Sequence, residues 1–175
     1  HDGWHGAPQL FLFATRFQVP EYASAQLPFA TERPSPLDLL WGAAWTSQVR
    51  TGAGSALPLA RHFQNVSVVT ARGAWGDPRA MFVAFKGGSN RVNHGHLDLG
   101  TWVLDAFGQR WAVDLGSDDY KLPGYFGGQR WSYLRNNTHG HNTVLLENAD
   151  QSPDGLAPVI RFIDSAQIKG GVVDL

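Results

Sequence analysis

Cysteine is absent from the 175-residue chain. That excludes a disulfide framework and any thiolate metal site, so a metal here would be held by His and carboxylate. The absence fits either a reducing or an oxidising compartment. Charge is scarce as well: 14 Lys+Arg face 15 Asp+Glu, for a formal net charge of −1 at pH 7. A nucleic-acid module usually carries a basic patch or stripe, so no nucleic-acid partner is expected. Only 17% of residues are charged, too few for a disordered or solvating tail. Long apolar runs are missing too. The longest stretch without Asp, Glu, Lys or Arg runs from Gly3 to Thr15 and contains His5, Pro8 and Gln9. A membrane helix needs about 20 apolar residues, so no membrane partner is expected either. There is no phosphate loop of Gly-Lys-Ser/Thr type and no His-Glu-x-x-His helix, and Ser117 and Ser132 lack a nucleophile elbow.

What is present is apolar and aromatic. Hydrophobic residues reach 43%, with 10 Phe, 7 Trp and 4 Tyr, enough for one sizeable core. The chain starts at His1 with no visible signal peptide, and Gly170 to Leu175 read like a strand just beginning. We expect an internal piece of a longer protein, cut at both ends.

Residues 1 to about 45 read as helical. Leu10, Phe13, Ala14 and Phe17 recur at i, i+3, i+4 and i+7, one face of a helix, and Pro20 ends that run. A second helix begins at Ser35-Pro36-Leu37-Asp38, with Ser35 at the N-cap, Pro36 at N1 and Asp38 at the reciprocal N3 position; Gly42 is a plausible stop. Residues 46 to 62 read as a linker. Beyond it the texture turns β-branched. Val66 to Ala71, Met81 to Phe85, Leu99 to Leu104, Trp111 to Leu115, Thr143 to Leu146 and Val159 to Ile163 read as strands. Phe107-Gly108-Gln109 reads as a hairpin turn. Short strands with turns between them predict a mainly β chain with an antiparallel β-sandwich. The expected division is residues 1–55 for the helical part and linker, and 56–175 for the sandwich, truncated at its C-terminus.

The chemistry concentrates in two His-x-His pairs, His94-Gly95-His96 and His139-Gly140-His141, with Asp114 between them in sequence. In an extended segment residues i and i+2 share a face, so each pair can aim two imidazoles at one point. Imidazole plus carboxylate is a standard zinc set. For a lone His, backbone bonding in a loop is the better reading; two pairs in one region favour a metal. Tyr120, Tyr125, Arg130, Tyr133 and Arg135 crowd between the pairs, and Arg and Tyr can neutralise a carboxylate or move a proton. Trp102, Trp111 and Trp131 are expected to pack in core or interface. Gly88, Gly95, Gly100, Gly108 and Gly116 are expected to serve turns and bulges. Asn65-Val66-Ser67 and Asn136-Asn137-Thr138 match the glycosylation triplet, which is short and commonly accidental.

The run His94-Gly95-His96-Leu97-Asp98-Leu99-Gly100-Thr101-Trp102, then Gly108, Trp111 to Gly116, Tyr120, Tyr125 and His141-Asn142-Thr143, resembles the heparinase II/III-like polysaccharide lyases, a group that also holds oligoalginate lyases. The likeness is densest over about residues 79 to 147, and residues 8 to 45 are similar in character to the last helices of that family's α/α toroid. The resemblance implies a toroid joined to an antiparallel sandwich, and cleavage of uronate-containing polysaccharides by β-elimination. It implies a structural zinc held by His96, Asp114 and His141, with His139 as the fallback third ligand. His94 falls where the family places an active-site histidine facing the substrate. Tyr125 is expected beside it as a catalytic residue, with Arg130 and Tyr120 binding substrate. Asp98 either orients an imidazole from behind or forms a salt bridge or turn. If one histidine binds metal and the other substrate, the segment must twist at Gly95. The family's catalytic Tyr sits on the toroid and has no counterpart here, so the isolated segment is expected to be inactive. The implied partners are a uronic-acid polysaccharide or oligosaccharide and the toroid of the same protein, in a bacterial periplasmic or secreted location. Two other readings compete: a non-catalytic carbohydrate-binding or scaffolding sandwich, and a zinc hydrolase using the His/His/Asp set.

Overall fold

The computed structural model describes residues 6–45 and 57–175. His1, His5 and most of the expected linker lie outside the described residues. The chain divides into two compact units, His1–Leu57 and Pro58–Leu175.

The first unit holds three helices, α1 (Gln9–Phe17), α2 (Pro20–Glu32) and α3 (Pro36–Gly42). Pro20 both follows α1 and opens α2, because a proline at N1 loses no helical hydrogen bond. Ser35 caps α3 in the expected box: its hydroxyl accepts from Asp38 N, and its own N–H donates to Asp38 Oδ2 at 2.8 Å. Phe11, Ala14 and Ala23 form the core, with Tyr22, Leu27, Trp41 and Trp45 packed on it. A Cβ on Gly42 would meet the Phe11 ring at 2.9 Å, so α3 approaches α1 through the missing side chain. Of the periodic apolar face read on α1, Ala14 is the fully buried member. Phe13 and Phe17 are exposed while Phe11 is buried. A helix reading Gln-Leu-Phe-Leu-Phe-Ala carries apolar residues on two sides, and periodicity alone does not choose between them.

The second unit is an antiparallel β-sandwich. Its main sheet runs β1-β2-β3-β5-β6, from β1 (Ala60–Phe63), β2 (Val68–Arg72), β3 (Phe82–Lys86), β5 (Trp102–Ala106) and β6 (Gln109–Ala112). A two-stranded ribbon pairs β4 (Gly88–Ser89) with β7 (Leu156–Ala157), and a hairpin pairs β8 (Val159–Asp164) with β9 (Lys169–Val173). β9 lies against the main sheet: a Cβ on Gly171 would come within 3.1 Å of the Phe85 ring and 3.5 Å of Val69. Val69 and Ala71 alternate inward on β2 and are buried. Phe107 and Gly108 carry φ of 57° and 78°, the paired left-handed conformation of a two-residue hairpin turn between β5 and β6.

Several expected elements differ. β1 occupies residues assigned to the linker. Thr143 to Leu146 forms no strand, only a bridge from Leu146 to Ala149. Its neighbours bond through side chains instead: Thr143 Oγ1 donates to Leu99 O at 2.6 Å, and Asn142 Nδ2 donates to Trp102 O and Val113 O. Those bonds also end β6 early, since Val113 O is taken by Asn142 and Leu115 O by Arg135. Trp102 and Trp111 stand at the surface, 44% and 65% exposed, rather than in a core.

Candidate active site around His94, His96, Asp114 and His141

Three connections of the sandwich build the site: the segment from Asn90 to Thr101, the end of β6 running into Asp114, and the long link from Ser117 to Gln151. The first is anchored by buried residues. Asn90 is buried, and its Nδ2 donates to Ser152 O at 2.9 Å. Leu97 and Leu99 point inward and are buried; Leu97 N donates to Asn136 O, and Leu99 N to Gln151 Oε1. Between these anchors Val92 to Gly95 makes a tight turn, with Gly95 N donating to Val92 O at 3.0 Å. Its third residue, His94, adopts φ 58°. His is among the few side chains that enter the left-handed region with some frequency. The twist expected at Gly95 is therefore taken by His94. Gly95 serves close approach: a Cβ there would stand 2.9 Å from Val92 Cγ2 and from Val92 O.

That turn sends the two imidazoles in different directions. The His96 ring lies 5.2 Å from the His141 ring, centroid to centroid. The His141 side chain is fully buried, and its Nδ1 is 2.7 Å from Asp114 Oδ2. Gly116 N donates to the other Asp114 oxygen at 2.8 Å. The bond from His141 is the main cause that holds the Asp114 carboxyl below its ordinary pKa, against the opposing effect of burial. With Asp114 at Nδ1, Nε2 is the ring nitrogen left over. That Nε2 is buried and has no hydrogen-bond partner. Burial first, then the nearby His141, push the His96 pKa down, which favours a neutral imidazole there.

The donor set fits zinc in kind: two imidazoles, one carboxylate and an unsatisfied buried nitrogen. It is not drawn to ligand distances. Among the described residues no group of three or more His, Cys, Asp or Glu is arranged to hold a metal ion. Two ligands each about 2.0–2.1 Å from a tetrahedral zinc lie about 3.3 Å apart; the 2.7 Å between Asp114 and His141 is a hydrogen bond. His139, the fallback ligand, faces Asp150 at 3.8 Å. Asp98 forms an ion pair with Lys86, and its carbonyl accepts from Thr101 N.

His94 looks outward. Its ring stacks on Tyr120, with centroids 6.1 Å apart and planes at 14°, and meets Phe126 edge-on at 6.0 Å. Tyr120 is 50% exposed and Phe126 is exposed too, so the three rings form an open aromatic shelf. Tyr125 lies beneath it, 5.0 Å from Tyr120. Tyr125, expected as a catalytic residue, is 2% exposed, and its hydroxyl donates to Asn136 Oδ1 at 3.1 Å. Arg130, expected on the substrate, donates to Gly95 O at 2.7 Å and to Tyr125 O at 3.3 Å. Two cavities open elsewhere on this unit, one of about 740 Å³ beside His62 and Phe162 and one of about 530 Å³ beside Leu99 and Leu156; none of the candidate residues lines either.

Sequence reasoning missed Asn136 and Phe126. Asn136 attracted notice only as a glycosylation triplet, yet it is fully buried. Its Oδ1 accepts from Tyr125, its Nδ2 donates to Arg130 O, and its carbonyl accepts from Leu97 N. No periodic pattern could have flagged either residue; only their contacts do.

No individual curated protein matches the chain. The family model Heparinase II/III-like, C-terminal, matches residues 58–172, which is nearly all of the sandwich unit and more than half of the chain. With that match over the unit that carries His94, His96, Asp114 and His141, the chain belongs to the heparinase II/III-like family of polysaccharide lyases.

Proposed function

We propose that this chain is the sandwich part of a lyase that cleaves uronate-containing polysaccharides by β-elimination, with His94 presented to the substrate. The observation that carries the reading is the division at Gly95: His94 stands on an open shelf with Tyr120, while His96 turns inward to His141 and Asp114.

In β-elimination a base takes the proton from C5, beside the carboxylate. The C5–H electrons form the C4=C5 double bond as the C4–O4 bond breaks, and the departing O4 takes a proton. The site must also neutralise the carboxylate, whose charge spreads as C5 loses its proton. An exposed imidazole suits the base or the neutraliser, and His94 is the exposed imidazole of the site. Its ring and that of half-exposed Tyr120 offer a flat apolar surface for a sugar face. Tyr125 can share in proton transfer only when its hydroxyl leaves Asn136; while bonded there it supports the shelf from below. An exposed shelf suits a polymer whose other contacts come from the toroid of a larger chain, which is also where the family's catalytic Tyr belongs. On the same reading the protein acts in a bacterial periplasm or outside the cell.

Zinc would be held by His96, Asp114 and His141, which requires Asp114 to give up its hydrogen bond to His141 Nδ1. Its charge would tie three separate connections together beneath the shelf; proton transfer stays with the residues above. The direct experiment is ultraviolet detection of the unsaturated uronate product, using the larger chain and a panel that includes heparan sulfate and alginate. Elimination on one of these and none from the 175-residue segment is the expected result. Binding without product on every polymer would favour the carbohydrate-binding alternative.

A further inference from the structure

We propose that Arg130 is a positioning residue that acts through the Gly95 carbonyl to set His94 on its shelf. The kinetic part of the proposal rests on the lyase reading; the structural part does not. Gly95 offers few handles. It has no side chain, a Cβ would collide with Val92, and its N–H is spent on the Val92 carbonyl. Its carbonyl is the remaining polar group, and Arg130 Nη2 donates to it at 2.7 Å. The same guanidinium reaches Tyr125 O through Nη1 at 3.3 Å. Its carbon lies 4.9 Å from the centre of the Tyr125 ring and 5.2 Å from that of Trp131. No carboxylate pairs with Arg130 among the described residues.

The base of the strut is fixed as well. Arg130 O accepts from Asn136 Nδ2 at 3.1 Å, and buried Asn136 also bonds Tyr125 and Leu97. Arg130 and Asn136 thus join the histidine turn, the shelf and the inner strand segment into one frame. A left-handed φ at a non-glycine residue persists only when its surroundings hold it. Here the peptide after His94 is held by the Gly95 N–H bond to Val92 O, and the following one, Gly95–His96, by a charge-assisted bond, the stronger kind. An arginine meant to grip substrate would leave its fork open; this one has two nitrogens on backbone carbonyls and its faces near rings.

The test has two arms. In the 175-residue chain, proton NMR should show contacts between the His94 and Tyr120 rings. Arg130→Ala should abolish them, while Arg135→Ala should leave them. Arg130→Lys, which keeps the stem and charge but loses the fork, should weaken them and serves if the alanine variant fails to fold. In the larger chain, Arg130→Ala should lower kcat by about 10- to 100-fold, the scale of a misplaced reacting group, with KM little changed. Added guanidinium should restore part of the rate. In a His94→Ala background the Arg130 change should cost nothing further, because it acts through His94. Ring contacts that survive in Arg130→Ala would overturn the proposal. So would a loss additive to His94→Ala with a raised KM, which would put Arg130 on the substrate. If the wild type makes no unsaturated product but Arg130→Ala still loses the ring contacts, the lyase reading fails and the positioning role stands.

Discussion

On one side of Gly95, His96 lies against a buried imidazole whose Nδ1 is bonded to a carboxylate. On the other, His94 stands in solvent, stacked on a half-exposed tyrosine. The residue type is the same and the positions differ by two. In a regular strand both rings would share one face and one environment. The left-handed φ of His94 parts them, leaving one imidazole inside and the other open. The surroundings of each ring, set by one backbone dihedral, decide its chemistry more than the motif does.

The largest expected effect lies on the inner side. His141→Ala should take the protein from stoichiometric zinc to none by metal analysis. Structural zinc contributes on the order of 10 kcal/mol in small domains. The sandwich core shares the load here, so the variant should melt lower rather than fail to fold. Zinc retained in full by this variant would remove the inner side from metal binding.

On the outer side, His94→Ala in the larger chain should lower the elimination rate by about 10²-fold or more, the scale for losing a general acid or base. Zinc content and melting temperature should hold. A variant that lost zinc along with activity would merge the two sides.

Stability should divide in the same way. Asn136→Ala removes the partner of the Tyr125 hydroxyl and of the Arg130 carbonyl and should cost at least about 2 kcal/mol in denaturant unfolding. Tyr120→Ala, on the open shelf, should cost no more than about 1 kcal/mol. Equal costs would mean that the shelf is as much a part of the core as the frame beneath it.

The smallest effect calibrates the others. The Asp105 carboxyl is held below its ordinary pKa, chiefly by hydrogen bonds from Arg110, on β5 and β6 away from both histidines. A lowered folded pKa stabilises the fold above the ordinary carboxylate range, and that contribution fades as pH falls through the folded value. The pair is largely solvated, so solvent screening keeps the contribution within about 0.5 kcal/mol. The stability gap between wild type and Asp105→Asn should therefore be small at pH 6 and shrink toward pH 3. A gap that widened on acidification would contradict the sign.

Much of the fold was legible in local signals. The α3 cap needed only Ser35, Pro36 and Asp38, because a capping box is closed within one turn. The hairpin at Phe107-Gly108 was marked by a residue tolerant of positive φ. Strand texture marked β2, β3 and β8 because β-branched and aromatic runs suit a half-buried pleat. The signals failed where bonding is non-local. Thr143 to Leu146 has the composition of a strand, yet Asn142 and Thr143 tie it to Leu99, Trp102 and Val113 through side chains. In α1 the apolar pattern was plain, but which stripe is buried depended on α3 approaching through Gly42.

The candidate site divides along the same line. By itself the sequence determined the chemical inventory: no thiolates, two His-x-His pairs, five Asp between them with Asp114 among these, and phenols and guanidines crowded nearby. That follows from residue type and spacing, which need no fold. Only the tertiary structure decided that Asp114 pairs with His141 rather than His139, that Asp98 is paired with Lys86, and that Tyr125 is buried on Asn136. It also decided that His94, not Gly95, makes the turn. The physical reason is that each depends on bonds between residues far apart in the chain. Composition supplies the donors and acceptors; the folded backbone chooses which of them meet.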